Sequence, residues 1–222
     1  MQKPRHEIIC PRLTNFKFDD FDSVSGMFEG IPAIAMQQAW LPALEADFAP
    51  ASVRTGWRDE ALFVFAELTD ADIFTRATRH NERLWELGDV FEIFLRPDAQ
   101  QAYTEFHIAP NNLRLQLRFA DTEALKRLAA AKSLENAMID AQLFESAVWV
   151  RPEEQRWHVS AKIPAASICE AKAPMQGSLW HFSFSRYDYT RGREKPVISS
   201  TSPHAIARFH SQAEWGTLRF SP

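Results

Sequence analysis

The sequence predicts an all-β protein, an antiparallel β-sandwich with one inserted surface helix. Three observations support this fold class. Apolar and polar residues alternate along many short segments, which is typical of half-buried strands. Turn-forming residues separate these segments, and a single segment has helical spacing. Because strands and helices do not alternate along the chain, a parallel α/β sheet is excluded, and we expect a sandwich of immunoglobulin-like or jelly-roll type.

Roughly ten short strands are expected, as in other sandwich domains. The segments 61–68 and 89–95 are apolar on both faces, which predicts central strands that are covered on both sides. In 112–119 the alternation has no fault, so Leu113, Leu115, Leu117 and Phe119 share one face. The predicted strands are 15–18, 52–57, 61–68, 89–95, 103–109, 112–119, 147–150, 156–163, 180–185, 196–200 and 216–220.

The inserted helix is predicted over 121–136. Leu125 and Leu128 have helical spacing there, and Asp121 or Thr122 can serve as N-cap. No composition break divides the chain, so we expect a single domain over 1–222. Its first part, 1–50, is predicted to wrap the edge of the sandwich.

Composition excludes several classes of partner. The 222 residues carry a formal net charge of −4, which argues against binding to nucleic-acid phosphates or to an anionic membrane. No run approaches the roughly 18 apolar residues of a membrane span. No signal peptide is visible, so a cytoplasmic location is expected for the chain as written. Cys10 and Cys169 are far apart in sequence and are expected to be separate thiols, with a disulfide as the alternative.

No motif of a known catalytic or metal centre is present. The sequence lacks the nucleophile elbow, the phosphate-binding glycine loops and the zinc-protease helix, and no two histidines have a tight metal-ligand spacing. Asp70 and Asp72 could begin a calcium site, since carboxylate oxygens suit that ion, but the rest of a calcium-loop pattern is missing and an Asp-rich turn after a strand is the favoured interpretation.

A polar patch is predicted on one sheet face. If 90–95 and 103–108 form a hairpin, Glu92 shares a face with Glu105 and His107. We expect the next strand to add Arg114 and Gln116 to that face. The patch could hold a sugar through hydrogen bonds, cleave a glycosidic bond with its two carboxyl groups, or be an ordinary salt-bridged surface.

Four stretches in order resemble the family 9 carbohydrate-binding modules, which are grouped with DOMON-like β-sandwiches. The resemblance runs from about residue 55 to the end of the chain. The stretches are WRDEALFVFAELTDADI (57–73), LWELGDVFEIFL (84–95), YTEFHIAPNN (103–112) and FHSQAEWGTLRF (209–220).

The resemblance implies a sugar held between two aromatic walls with polar partners on the sheet. By position, Trp85 and Phe209 match the walls, and Glu92 matches the acidic partner. Phe209 stands where a sugar-binding member has Trp, and His107 stands where it has Arg. Tyr187 and Arg186 could line the same rim, and His210 is expected to be structural. The candidate ligand-binding residues are Trp85, Glu92, His107, Phe209, Arg114 and Glu105.

The leading hypothesis is a non-catalytic carbohydrate-binding domain, whose partner is a mono- or oligosaccharide. One alternative is a haem-binding DOMON-like electron-transfer module, which needs axial ligands such as Met and His. Met27, Met36, Met138 and Met175 do not fall on the predicted sandwich strands, so haem is not expected. A second alternative is a glycoside hydrolase that uses Glu92 and Glu105. Structural calcium is the remaining cofactor to consider.

Overall fold

A computed structural model describes residues 5–170 and 175–222 and confirms the predicted β-sandwich. Two sheets pack face to face, and all of their strand pairs are antiparallel except one parallel pair at an edge of the larger sheet. The helices are α1 (Phe21–Phe28) and α2 (Thr122–Ala130). The strands are β1 (Glu7–Cys10), β2 (Ile34–Ala35), β3 (Ala51–Arg58), β4 (Ala61–Thr69), β5 (Val90–Pro97), β6 (Tyr103–Ile108), β7 (Arg114–Phe119), β8 (Met138–Ile139), β9 (Glu145–Arg151), β10 (Arg156–Pro164), β11 (Leu179–Asp188), β12 (Val197–Ser200) and β13 (Gly216–Phe220).

The larger sheet has eight strands. Its order is β1-β13-β11-β5-β6-β7-β8, and β12 pairs with the C-terminal half of β11. The smaller sheet has five strands in the order β2-β3-β4-β10-β9. The two segments that are apolar on both faces became β4 and β5, and each has a neighbouring strand on both sides. Their central position therefore follows from their pattern.

The main hydrophobic core lies between the sheets. Alternate residues of β5 and β11 face inward there, including Phe91, Ile93, Phe182 and Phe184, all at most 1% exposed. Trp157 of β10 faces them from the smaller sheet and has no exposed surface. This packing leaves the other residues of β5, among them Glu92 and Phe94, on the outer face of the larger sheet.

Both sheets are covered on their outer faces as well. Helix α1 and the residues before it pack against β4, where Phe16 and Phe18 make edge-on contacts with Phe63. On the larger sheet, a second apolar cluster gathers beneath α2 and around Phe209 and Trp215. A sheet face that would otherwise be in water is thus buried, and every polar group on it needs a partner.

The structure corrects three expectations for the chain. Residues 15–18 form no strand, because their phenylalanines cover the smaller sheet instead of pairing with it. Helix α1 was not predicted. It has only eight residues, and its clearest local signal is the Asp20 side chain, which accepts a hydrogen bond from the Ser23 N–H at 2.8 Å. The helix expected over 121–136 forms, but α2 ends at Ala130 and a short 3₁₀ turn follows at 134–137.

The remaining expectations concern the termini, the thiols and the membrane. The segment 1–50, described from residue 5, supplies β1, α1 and β2, while the assignment of 1–222 to one domain stays a prediction. Cys10 and Cys169 are separate thiols. Both helices are far shorter than a bilayer is thick, so no helix in the described residues could span a membrane.

A buried ionic cluster closes one end of the sandwich. The guanidinium of Arg186 lies 3.0 Å from the Asp70 carboxylate and 3.1 Å from that of Asp188. The third acid, Asp89, accepts backbone hydrogen bonds from Phe74 and Tyr189. Burial raises the pKa of Asp89 to about 8, and neighbouring Asp70 adds to this effect. One cation therefore balances three buried carboxyl groups, of which at least one retains its proton near neutral pH.

Replacing Arg186 by methionine tests this balance. Arg186→Met keeps much of the side-chain volume but leaves three buried acids without a cation. We expect the free energy of unfolding to fall by about 3–5 kcal/mol. The matched control is Arg191→Met, which removes an exposed guanidinium paired with Asp72 and should cost at most about 1 kcal/mol. Urea denaturation measures both, and equal losses would contradict the assigned role.

Asp188 should make stability depend on pH. Burial raises the pKa of its carboxyl to about 7 in spite of the Arg186 charge, whereas the unfolded value is about 4. A raised folded pKa contributes stability below the unfolded pKa, and that stability is lost as pH rises toward the folded pKa. Asp188→Asn does not ionise, so its stability relative to wild type should increase between pH 4.5 and 8. A pH-independent difference in urea midpoint would contradict this.

Candidate functional site

A cavity of about 290 Å³ opens on the outer face of the larger sheet. Strands β5, β6 and β7 form its floor, the region from α2 to the following 3₁₀ turn forms one side, and the segment 207–210 forms another. The cavity mixes aromatic and ionisable side chains. Its lining consists of Trp85, Glu92, Phe94, Glu105, His107, Leu117, Phe119, Leu125, Leu134, Tyr187, Ile198, Ala207, Arg208, Phe209 and His210.

Four ionisable side chains form a continuous row on the cavity floor. His107 lies between two carboxylates, with Nδ1 3.1 Å from Oε1 of Glu92 and Nε2 3.3 Å from Oε2 of Glu105. The other oxygen of Glu105, Oε1, lies 2.9 Å from Nδ1 of His210. The Tyr103 hydroxyl lies 3.1 Å from the same nitrogen. Glu105 therefore holds two imidazole rings at once.

The register of β5 and β6 explains this row. Glu92 pairs directly with His107, and Phe94 pairs with Glu105. Because paired residues point to the same side of a sheet, Glu92, Glu105 and His107 share the outer face, as the hairpin hypothesis predicted. Each of the three is at most 3% exposed, since α2 and the 207–210 segment cover this face.

The row contains opposite charges at low dielectric. Burial disfavours the charge on Glu105, but the His210 and His107 imidazoles outweigh burial and hold the pKa of Glu105 at about 2. Burial raises the pKa of Glu92 to about 7 although His107 opposes it. Burial lowers the pKa of both imidazoles, yet the carboxylates overcome it and raise the pKa of His107 and of His210. Glu105 is therefore held as a carboxylate, and the imidazoles on either side of it are shifted toward their protonated form.

Trp85 forms one wall of the cavity. It lies in a short 3₁₀ turn, Leu84–Glu86, and its half-buried ring is centred 5.4 Å from the His107 ring. The Tyr189 hydroxyl donates a 2.6 Å hydrogen bond to the Trp85 carbonyl. Gly88 ends the turn with φ of 145°, and a Cβ there would lie 2.6 Å from the Phe74 carbonyl oxygen. The loop that carries Trp85 is therefore fixed at both sides of the ring.

Phe209 also borders the cavity, but it is mostly packed inside. It is 5% exposed and belongs to the apolar cluster beneath α2. Its ring contacts Tyr187 edge-on at 5.9 Å, and its carbonyl accepts a hydrogen bond from Trp215 Nε1 at 2.7 Å. The two rings that the sequence predicts as walls therefore differ in exposure, since Trp85 is half-buried and Phe209 is almost fully buried. Their role in binding stays a prediction.

Arg114 does not belong to the site, and the prediction that placed it there was wrong. His107 pairs with Leu115, so Arg114 points to the opposite face of the sheet. Its guanidinium donates to the Phe144 carbonyl at 2.6 Å and stacks on the Phe144 ring. Gln116 shares that face. The error came from assigning the apolar residues of β7 to the space between the sheets, whereas they lie under α2 and line the cavity.

Sequence reasoning also misjudged residues around Phe209 and on β11. His210 was expected to be structural but lies at the cavity, and Arg208 was not considered. Tyr187 lines the cavity as suggested, while its neighbour Arg186 points to the other face and is buried. The signal in the sequence was the alternation of Arg208, Phe209 and His210, which places two cations beside one buried ring.

The described residues do not provide a suitable ligand set for either calcium or haem. Asp70, Asp89 and Asp188 bring their oxygens within 4.8 Å of one another. However, the Arg186 guanidinium already contacts two of them and Asp89 accepts two backbone hydrogen bonds, so the cluster does not fit a calcium ion as arranged. The cavity lining contains two histidines and no methionine, so it lacks the Met–His pair suggested for haem.

A second cavity, of about 340 Å³, lies beside Pro97, Cys169 and Trp180. Its lining has no clustered histidines, so the smaller cavity with the buried row of acids and imidazoles is the candidate site.

Solved structures with the same fold include carbohydrate-binding proteins. A candidate carbohydrate-binding protein from Bacteroides uniformis has a TM-score of 0.76 and 17% identity, with 97% of this chain and 99% of that chain covered. A family 9 carbohydrate-binding module from Caldicellulosiruptor kristjanssonii was solved with cellotriose (TM-score 0.68, 15% identity, 97% and 94% covered) and with glucose (TM-score 0.64, 17% identity, 97% and 96% covered). At these identities the likeness shows the fold.

No curated protein matches the chain significantly, but a family model does. The family model described as "Carbohydrate family 9 binding domain-like" matches residues 22–221, which include both sheets except β1 and all the residues of the cavity. The chain belongs to this family of carbohydrate-binding β-sandwich domains.

Proposed function

We propose that this chain is a non-catalytic carbohydrate-binding domain whose cavity holds one sugar ring against Trp85. The observation that carries the proposal is the half-buried Trp85 ring beside a row of hydrogen-bonding groups in a cavity of about 290 Å³. A sugar presents apolar C–H faces and a rim of hydroxyls, so it needs a flat aromatic surface and polar groups at its edge. The similar module solved with glucose and cellotriose supports the same class of ligand.

The polar groups suit hydroxyl partners. Among the described residues Glu92 has no side-chain hydrogen-bond partner and only the His107 ring 3.1 Å away, so its carboxylate can accept from a ligand hydroxyl. His210 turns Nδ1 toward Glu105 and its ring is 30% exposed, so Nε2 can accept from a ligand hydroxyl when the ring is neutral and donate to one when it is protonated. A hydroxyl both donates and accepts, so neighbouring hydroxyls of a sugar can use both groups at once.

The geometry does not favour the hydrolase alternative. The ring of His107 occupies the space between the carboxyl groups of Glu92 and Glu105. A glycosidase needs the scissile bond, and often a water, between its two carboxyl groups. Both oxygens of Glu105 moreover contact imidazole nitrogens, those of His107 and His210. The row of groups is arranged for binding rather than for bond cleavage.

Removing the Trp85 ring should reduce sugar affinity. We expect Trp85→Ala to weaken binding of the best ligand, among a panel of mono- and oligosaccharides, by about tenfold or more, because the apolar contact of one buried aromatic surface is lost. Isothermal titration calorimetry measures the change.

The matched control is Trp149→Ala, which truncates a half-buried tryptophan on β9 beside Phe21, on the smaller sheet. It should bind sugar like wild type. No heat with any member of the panel would reject the proposed function, and equal affinity in Trp85→Ala would remove Trp85 from the site.

A further inference from the structure

Two cationic side chains on one segment border the cavity, and this feature goes beyond a site for neutral sugars. Arg208 and His210 flank the buried Phe209, and both line the cavity. Arg208 is exposed, and among the described residues no carboxylate lies within ion-pair distance of its guanidinium. His210 is anchored through Nδ1 to Glu105 at 2.9 Å and Tyr103 at 3.1 Å, and no described residue accepts from its Nε2.

The basic side chains that line the cavity outnumber its acidic side chains. Its cationic groups are Arg208 and the imidazoles of His107 and His210, and its acids are Glu92 and Glu105. Glu105 is ionised and serves both imidazoles. When both imidazoles are protonated, the three cationic groups exceed the two acids by one charge even with Glu92 ionised, and a proton on Glu92 widens the excess. Among the cationic groups that line the cavity, Arg208 is the exposed one, so its guanidinium is open to a ligand carboxylate.

We propose that the cavity selects an acidic pyranose, a sugar ring that carries one carboxylate, and that Arg208 pairs with this carboxylate with help from His210. The inference rests on the proposed function. A planar carboxylate matches the guanidinium fork and can take two parallel hydrogen bonds. The apolar face of the same ring lies against Trp85, and its hydroxyls reach Glu92.

The anchoring of His210 supports this assignment. A histidine at a cavity is commonly neutral, with one nitrogen as acceptor. Here the carboxylate of Glu105, which is 2% exposed, lies 2.9 Å from Nδ1, and a negative charge at that distance favours the protonated ring, in which Nε2 also carries a proton. His210 therefore presents a donor and a positive charge to the ligand. A ligand amine would face repulsion from both Arg208 and His210, so amino sugars are disfavoured.

Selectivity for an acidic sugar should increase in mildly acidic solution. As pH falls, protonation of Glu92 and of both imidazoles becomes more complete, since the pKa of each group is raised, while a sugar carboxylate remains ionised. The groups that face Glu92 and His210 from all neighbouring elements are Glu105 and His107 on β6, Tyr103 at the start of β6, Tyr187 and Tyr189 at the end of β11, and Arg208. The tyrosines stay neutral over this range, since burial raises the pKa of Tyr103, Tyr187 and Tyr189.

Calorimetric titration with glucuronate and with glucose, at pH 6 and pH 8, tests the inference. We expect glucuronate to bind about tenfold more tightly than glucose at pH 6 in low salt, as for one charge-assisted pair at a partly exposed site. The preference should shrink at pH 8. It should also shrink in 0.5 M NaCl, because salt screens the exposed Arg208.

The variant Arg208→Gln should bring the two sugars to similar affinity, because it should weaken glucuronate binding far more than glucose binding. The matched control Arg219→Gln changes an exposed arginine on β13, away from the cavity, and should keep the preference. His210→Gln should reduce the preference partly and flatten its pH dependence.

The outcomes separate the two proposals. Glucose binding as tightly as glucuronate would overturn the inference and leave the proposed function intact. A preference that survives in Arg208→Gln would overturn it too. Tighter binding of glucose 6-phosphate than of glucuronate, lost in Arg208→Gln, would replace the carboxylate by a phosphate and overturn the assignment. No binding of any sugar would reject the proposed function itself.

Discussion

The site depends on one buried carboxylate. Glu105 lies on the outer face of the larger sheet, under α2 and the 207–210 segment, and both of its oxygens face imidazole rings. A buried charge without partners would be very costly, so the covering of this face is possible only with the pairing that Glu105 makes. The same pairing sets the charge of His107 and His210. The electrostatic character of the cavity thus follows from a packing requirement of the fold.

The central part of the architecture was accessible to sequence reasoning. Period-two patterning identified β10 and β11, because their inward residues must be apolar to fill the space between the sheets, and runs that are apolar on both faces identified β4 and β5. The same argument placed Glu92, Glu105 and His107 on one face, since the face of a residue follows from its parity once a hairpin is assumed.

The pattern could not show what covers the outer faces. The apolar side of β7 was assigned to the space between the sheets, and Arg114 to the site, because a half-buried strand is usually buried on its inner side. Here α2 and the segment around Phe209 bury the outer side of β7. The division of its residues into two faces was therefore correct, but the apolar face is the outer one. Residues 15–18 were misassigned for a similar reason. Their alternation reflects phenylalanines laid on a sheet, not a strand within it.

The pairing of β1 with β13 has a consequence for association of the molecule. β1 runs parallel to β13 and occupies the side of β13 that faces away from β11, while Gly216 lets the two backbones approach, since a Cβ there would lie 2.8 Å from the His6 carbonyl oxygen. Detachment of residues 7–10 would bare a row of unsatisfied amides and carbonyls along β13, a template for another chain to add a strand. By covering the edge of β13, the first strand therefore protects the protein against edge-to-edge polymerisation.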